Sequence, residues 1–315
     1  MAGAHIELRD GRRLSYVETG PPTGAAVINC HGAIGTSLGR SVGLEAIAAD
    51  LDVRHIAVSR PGFGGSDPAP GRSVLSFAED LRELADALGL ATFALVGVSA
   101  GGPYALAGAR ALPDRVSRVA VCSSLSPLCA PHATPGVALR NRLALRAVAR
   151  APTLCAAVGD RLAPLIARHP GLLGVIVRAG AARDEREAIR DAREREAVFA
   201  SFLEATTRGV RGIIDDYLTC IGTWGFSLDA VEPEVDLWHG VADPLVPIDH
   251  ALALAAVLPR CRVFFDADEG HHFFRRRLHE ILATLVGTGH PPSCKAAGPT
   301  PLRSAVRLTA AQRES

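Results

Sequence analysis

The segment Gly97-Val98-Ser99-Ala100-Gly101 sets one hydroxyl between two glycines, directly after an apolar run and before an Ala-rich stretch. This is the G-x-S-x-G spacing of a serine on a sharp strand-to-helix turn, where small residues two positions either side let the two backbones approach. A phosphate-binding loop would need G-x-G-x-x-G spacing, which "GVSAGG" does not supply. A serine hydroxyl is a weak nucleophile at neutral pH, so Ser99 needs a base within hydrogen-bond reach and an acid to orient that base. Both follow in order along the chain: Asp243 in "WHGVADPLVP" and His271 in "DADEGHHFF", each just past a predicted strand. Loops that follow neighbouring strands of a parallel sheet meet at one edge.

Each candidate has rivals. Asp266, Asp268 and Glu269 lie too close to His271 in the chain to be its partner, and Asp249 is expected to cap the start of a helix. His272 competes with His271, but adjacent loop residues point in different directions and one alone should reach Ser99; His271 is the expected base. Attack on a carbonyl also needs donors for the developing oxyanion. The Ala100 N–H, at the start of the helix after the turn, is one, and the Ala33 N–H in "CHGAIG" is the other, with Gly32 letting that loop fold close. His31 is read as bracing the loop by a hydrogen bond in preference to acting as a base, and Trp224 and Phe226 as core residues in preference to bordering the pocket.

The elements that must position these residues are visible in the hydrophobic pattern. "HIELRDGRRLSYVET" holds two short alternating runs joined by Asp10-Gly11, a hairpin signal. Continuous apolar runs follow at 25–29, 53–59, 93–98 and 118–123, which read as strands buried on both faces and therefore parallel. Helical patterns at 41–50, 75–89 and 103–112 alternate with them, predicting an α/β doubly wound sheet. From 126 to 226 there is no strand pattern, only helix-like segments, among them a run of alternating charges from Arg183 to Glu196 that reads as a solvated helix face. The alternation resumes with a strand at 234–240, a helix at 249–258, a strand at 261–267 and a closing helix from about Phe273 to Val286. The helical stretch is thus an insertion, a lid over the sheet. Residues 287–315, rich in Pro, Gly and small residues, are expected to be a disordered tail.

Composition excludes several classes. The formal net charge is +1, and Lys295 is the one lysine among 34 basic residues, so no global field favours nucleic acid or a membrane. Seven cysteines, at 30, 122, 129, 155, 220, 261 and 294, show no C-x-x-C or Cys/His ligand spacing and read as reduced thiols. The first residues lack the apolar region of a signal peptide, and no apolar run reaches the roughly 18 residues of a membrane span. A cytoplasmic protein is expected.

Taken together, "HGAIG", "SRPGFGGSD", "GVSAGG", "HGVADPLVP" and "EGHHF" resemble, in order, the oxyanion loop, RPGxGxS turn, nucleophile elbow, acid loop and histidine loop of the α/β-hydrolase fold superfamily, over roughly residues 5–286. The chain is similar to its lidded, esterase-like serine members. That resemblance implies a mostly parallel central sheet with an N-terminal antiparallel hairpin and helices on both faces. It also implies a core of 1–125 and 227–286, a helical lid at 126–226, and a cofactor-free Ser99/His271/Asp243 mechanism without metal. Arg60 and the glycines of "SRPGFGGSD" are read as a structural turn. Haloalkane dehalogenases and epoxide hydrolases of this fold carry Asp at the elbow, which Ser99 excludes. The expected activity is hydrolysis of an ester-type bond (carboxylester, thioester or lactone) of a small, largely apolar substrate through an acyl-enzyme. The alternatives are lyase, acyltransferase or haloperoxidase-like chemistry on the same triad, or a ligand receptor that does not turn over. A small-molecule substrate is the one partner implied.

Overall fold

Eight strands form one sheet in the order β1-β2-β4-β3-β5-β6-β7-β8 in the computed structural model, which describes residues 3–35, 42–127, 139–180 and 191–289. The strands are β1 (Ala4–Glu7), β2 (Arg13–Thr19), β3 (Ala25–Cys30), β4 (Val53–Val58), β5 (Phe93–Val98), β6 (Val116–Cys122), β7 (Glu234–Gly240) and β8 (Cys261–Asp266). β1 pairs antiparallel with β2 across the Asp10-Gly11 turn, where Gly11 takes φ +83°, and β2 pairs antiparallel with β4. The other pairings, from β4 to β8, are all parallel.

The parallel strands lack polar alternation because both faces are covered. Ile28 and Leu95 face one core together with Phe77, Leu81 and Leu84 of α2 (Phe77–Ala87), Ala105 of α3 (Gly102–Ala111) and Leu254 of a later helix, Asp249–Val257. Their neighbours Val27, Ala94 and Val96 face the opposite core with Leu44 of α1 (Leu44–Asp50) and Leu278, Ile281 and Leu285 of the closing helix, Leu278–Val286. In that second core the Trp238 and Phe264 rings stack with centroids 4.2 Å apart, a pairing that adds about 1 kcal/mol beyond the area it buries.

Between β6 and β7 the described chain is helical, as the pattern predicts: α4 (Leu139–Arg150), α5 (Pro152–Arg168), α6 (Pro170–Gly180), α7 (Ala192–Ala205) and α8 (Arg211–Ile221), after which the Asp249–Val257 and Leu278–Val286 helices become α9 and α10. α6 and α8 have no counterpart among the predicted segments. Of the charged run Arg183–Glu196, residues 183–190 lie outside the described residues, as do position 41 of the first predicted helix and the tail from 290 onward. Two local expectations are corrected. The closing helix is broken, with a 3₁₀ turn at Phe273–Arg275 before α10 begins at Leu278. Asp249 is the first residue inside α9, whose cap position is Ile248 with no side-chain cap hydrogen bond.

One buried polar residue of the sheet yields a stability prediction. Burial alone pushes the His55 imidazole down from its ordinary 6.5 to about 4, and its Nδ1 makes no hydrogen bond among the described residues. Below pH 6.5 the unfolded chain therefore takes up a proton that the folded chain refuses, and stability falls as pH falls toward 4. In urea unfolding between pH 6 and 4.5, His55→Gln is expected to flatten the loss of stability by about 1.4 kcal/mol per pH unit; an unchanged slope would contradict it.

Candidate functional site

β5 ends at Val98, and Ser99 turns the chain into a 3₁₀ turn (Ser99–Gly101) that runs on into α3. Ser99 adopts φ +54°, the left-handed region that costs a non-glycine residue about 1–2 kcal/mol. The turn survives because its neighbours are small. A Cβ on Gly101 would lie 2.0 Å from the Cys30 carbonyl oxygen, and one on Gly97 would lie 2.7 Å from the Gly101 carbonyl oxygen. Pro103 sits in the first turn of α3, where its missing N–H has no partner to lose.

The sheet register carries the other candidates to the same edge. Val98 pairs with Cys122, Cys122 with Trp238, and Gly240 with Asp266, so the residues after β5, β6, β7 and β8 emerge side by side. In the loop after β7, Asp243 is buried and its Oδ2 lies 2.7 Å from His271 Nδ1. Oδ1 of the same carboxylate accepts the Leu245 N–H at 2.8 Å and the Val246 N–H at 2.9 Å. Burial alone would raise the Asp243 pKa; the charge and hydrogen bond of His271, with His239 and the Val246 N–H, outweigh it and hold the carboxyl below its ordinary value. An ionised Asp243 accepts only, so His271 donates from Nδ1 and keeps Nε2 for another partner.

The His271 backbone is fixed as well. Ser123, itself at φ +46°, donates its hydroxyl to the His271 carbonyl at 3.0 Å and its N–H to the Trp238 carbonyl at 2.9 Å. Gly240 permits this arrangement, since a Cβ there would meet the Glu269 and Gly270 carbonyl oxygens at 2.4 Å. His272 stands beside His271 with ring centroids 5.3 Å apart, but burial, then the His271 and Arg275 charges, push its pKa down to about 3, too low for an effective base near neutrality. Among the acidic rivals, Asp266 pairs with Arg277 and Glu269 with Arg276, at 3.0 and 2.9 Å.

The loop after β3 reaches the elbow from the other side. A Cβ on Gly32 would lie 3.4 Å from the Ser99 Cβ, so the peptide leading to Ala33 runs past the hydroxyl-bearing residue. The Ala100 N–H lies in the first turn of a helix, where no preceding carbonyl is available to it. His31 braces its loop as expected: Nδ1 donates to the Gly32 carbonyl at 2.7 Å, and Nε2 accepts the Arg60 N–H at 3.1 Å. Burial and the Arg60 charge push His31 well below 6.5, so the ring is neutral, as these two bonds require.

Arg60 does more than turn the chain. Its fully buried guanidinium holds Asp216 of α8 through Nε at 3.0 Å and Nη2 at 2.7 Å, lies over the Tyr104 ring at 4.8 Å, and donates Nη1 to the His31 carbonyl. Asp216 also accepts from Arg72 and the Tyr104 hydroxyl, both at 2.9 Å. α8 touches the elbow too: the Cys220 thiol lies 3.6 Å from the Ala100 carbonyl oxygen. Sequence reasoning did not find Asp216. The available signal was an acid four residues before Cys220, a spacing that puts the two side chains on one face of α8. Trp224 is buried and Phe226 packs against the same core, as expected.

Among the described residues, no group of three or more His, Cys, Asp or Glu stands where it could hold a metal ion, and no helix is long and apolar enough to cross a membrane. A hollow of about 360 Å³ between α6 and α7, lined by Leu173, Val198 and Phe199 among others, lies within the inserted helices; Ser99, Asp243 and His271 do not line it.

Comparison with known proteins follows the same lines. Residues 25–171 match a family model described as the alpha/beta hydrolase fold. Over 130 residues the chain is 32% identical to a protein of Bacillus subtilis (strain 168) assigned as a 2-succinyl-6-hydroxy-2,4-cyclohexadiene-1-carboxylate synthase; the match covers 40% of this chain and 46% of that protein, less than half its length. The structure of the esterase EaEST from Exiguobacterium antarcticum is similar with TM-score 0.65 at 19% identity, covering 91% of this chain and all of that one. The enol-lactonase from Burkholderia xenovorans LB400 is similar with TM-score 0.65 at 17% identity, covering 90% and 99%.

Proposed function

Starting from a chain with the α/β-hydrolase fold, whose residues 25–171 match that family's model, we propose that it is a cofactor-independent serine hydrolase of ester-type bonds, with Ser99 as nucleophile, His271 as base and Asp243 as the acid that orients it. The observation that carries this reading is Ser99 at φ +54° on the sheet edge that also bears the 2.7 Å Asp243–His271 pair. A strained serine between glycines, with a buried carboxylate–imidazole pair on loops two and three strands away, is what acyl transfer requires and what packing alone does not.

The steps follow from the groups. His271 Nε2 takes the Ser99 proton as Oγ bonds to the carbonyl carbon, and the carbonyl π electrons move onto oxygen, where the Ala33 and Ala100 N–H groups receive the negative charge. The intermediate collapses, the bond to the leaving oxygen or sulfur breaks, and His271 returns the proton to that atom. Water then attacks the Ser99 ester by the same sequence, releasing the acid and restoring the serine. Asp243, unprotonated throughout, stabilises the imidazolium formed in each half. Leu-, Val- and Ala-rich inserted helices favour a small, apolar acyl or alkyl group.

The relative named as a synthase favours a second reading, in which the same triad performs lyase or acyl-transfer chemistry. Turnover of p-nitrophenyl esters of graded chain length in ¹⁸O-water separates the two. The hydrolase reading predicts one solvent oxygen in each acid released, with the fastest turnover among uncharged short or medium chains. A product lacking solvent oxygen, or no turnover of any ester, thioester or lactone, would contradict it.

A further inference from the structure

The Gly32 carbonyl oxygen collects three donors: His31 Nδ1 at 2.7 Å, the Gly35 N–H at 3.0 Å and Arg60 Nη2 at 3.4 Å. A trans peptide points its carbonyl and its N–H in opposite directions. Fixing the Gly32 oxygen therefore fixes the direction of the Ala33 N–H, which belongs to the same peptide. The Arg60 cation beside that oxygen, out of water, also draws charge along the peptide and makes its N–H a stronger donor. Arg60 in turn is held by Asp216, which stands on α8, the last of the helices inserted between β6 and β7. Burying such an ion pair gains little stability over apolar packing, whereas the guanidinium supplies directed donors to the His31 and Gly32 carbonyls that an apolar side chain would not.

We propose that Arg60 is a positioning residue of the Ser99 site, aiming and polarising the Ala33 N–H toward the oxyanion, and that Asp216 couples this donor to the seating of α8. The inference rests on the reading that Ser99 attacks a carbonyl. The inserted helices thereby act on the transition state, beyond any contact they make with substrate: when α8 is seated, Asp216 holds the guanidinium, the guanidinium holds the His31 and Gly32 carbonyls, and the oxyanion donor is in place. Tyr104 and Arg72, the other donors to Asp216, keep its carboxylate in register with the Arg60 fork.

The test compares wild type with Arg60→Lys, which keeps the charge and loses the fork, and Asp216→Asn, which releases the fork. Folding is checked by circular dichroism and thermal unfolding. An alkyl trifluoromethyl ketone, whose adduct with serine places an oxyanion in the hole, is the probe. Both variants are expected to lose between about tenfold and a hundredfold in kcat, with KM within a few fold. Affinity for the ketone should fall by the same factor as kcat, and the pH profile should keep its shape. Should both variants fail to fold, Tyr104→Phe, which removes one donor to Asp216, is expected to lower kcat and ketone affinity together by about threefold. Folded variants that keep wild-type kcat and ketone affinity, losing thermal stability alone, would overturn the proposal. Failure of wild type itself to form the ketone adduct would instead overturn the Ser99 reading, so the two failures are distinguishable.

Discussion

Ser99→Ala is expected to lower kcat for an ester substrate by about 10⁴- to 10⁶-fold while leaving the fold and KM nearly unchanged. The substitution removes one oxygen and keeps the Cβ that faces Gly32 across the site. Because Ser99 is only partly buried, no closed cavity is left behind. Alanine pays the same backbone strain as serine at φ +54°, so thermal unfolding should move by no more than a few degrees. The size of the loss comes from chemistry: with Oγ gone, neither His271 nor the oxyanion donors have an attacking atom to serve, and only binding and electrostatic stabilisation of direct water attack remain. Steady-state kinetics beside circular dichroism checks both halves of the expectation. Retained turnover in a folded variant would remove Ser99 from the mechanism.

Asp243→Asn should cost about 10⁴-fold in kcat, for a reason the local hydrogen bonds make explicit. The Leu245 and Val246 N–H groups claim Oδ1, so an asparagine must leave its amide oxygen there and turn its NH₂ toward His271. The Nδ1 atom, 2.7 Å away in the wild type, would then have to accept rather than donate. The imidazole would carry its proton on Nε2 and could no longer take one from Ser99. KM should stay within a few fold, since Asp243 is remote from the substrate in this account. The matched substitution at the neighbouring ring, His272→Gln, should change kcat by less than tenfold, because His272 enters no step. Comparable losses at 271 and 272, or a fully active Asp243→Asn enzyme, would contradict the assignment.

The legible parts of this molecule were those where residue type alone constrains geometry. The Asp10-Gly11 hairpin and the strands at 93–98 and 234–240 follow directly from turn chemistry and from apolar runs that must be covered on both faces. That the Asp243 loop meets the histidine loop was reachable too, because chain order and strand ends limit which loops can meet; that His271 and not His272 faces Asp243 is seen in the side-chain geometry. Three-dimensional neighbourhoods without a periodic signature were not reachable. Asp216 meets Arg60 from 156 positions away, and nothing local marks either as the other's partner. Ser123 reads as an ordinary residue after a strand until its left-handed backbone and its bond to the His271 carbonyl are seen. Asp249 looked like a cap by type, yet the chain enters α9 one residue earlier, at Ile248. In helix α8 a buried acid interrupts the apolar positions, and that acid is the one holding Arg60.

The central claim is that Ser99 forms a covalent bond to the substrate's acyl group. A p-nitrophenyl alkylphosphonate tests it most directly, since attack by the nucleophile releases p-nitrophenol and leaves a stable adduct that water cannot clear quickly. The account predicts one equivalent of p-nitrophenol per chain, loss of esterase activity in step with its release, and the phosphonyl mass on the peptide containing Ser99. An adduct on any other residue, or full inactivation with Ser99 unmodified, would contradict it.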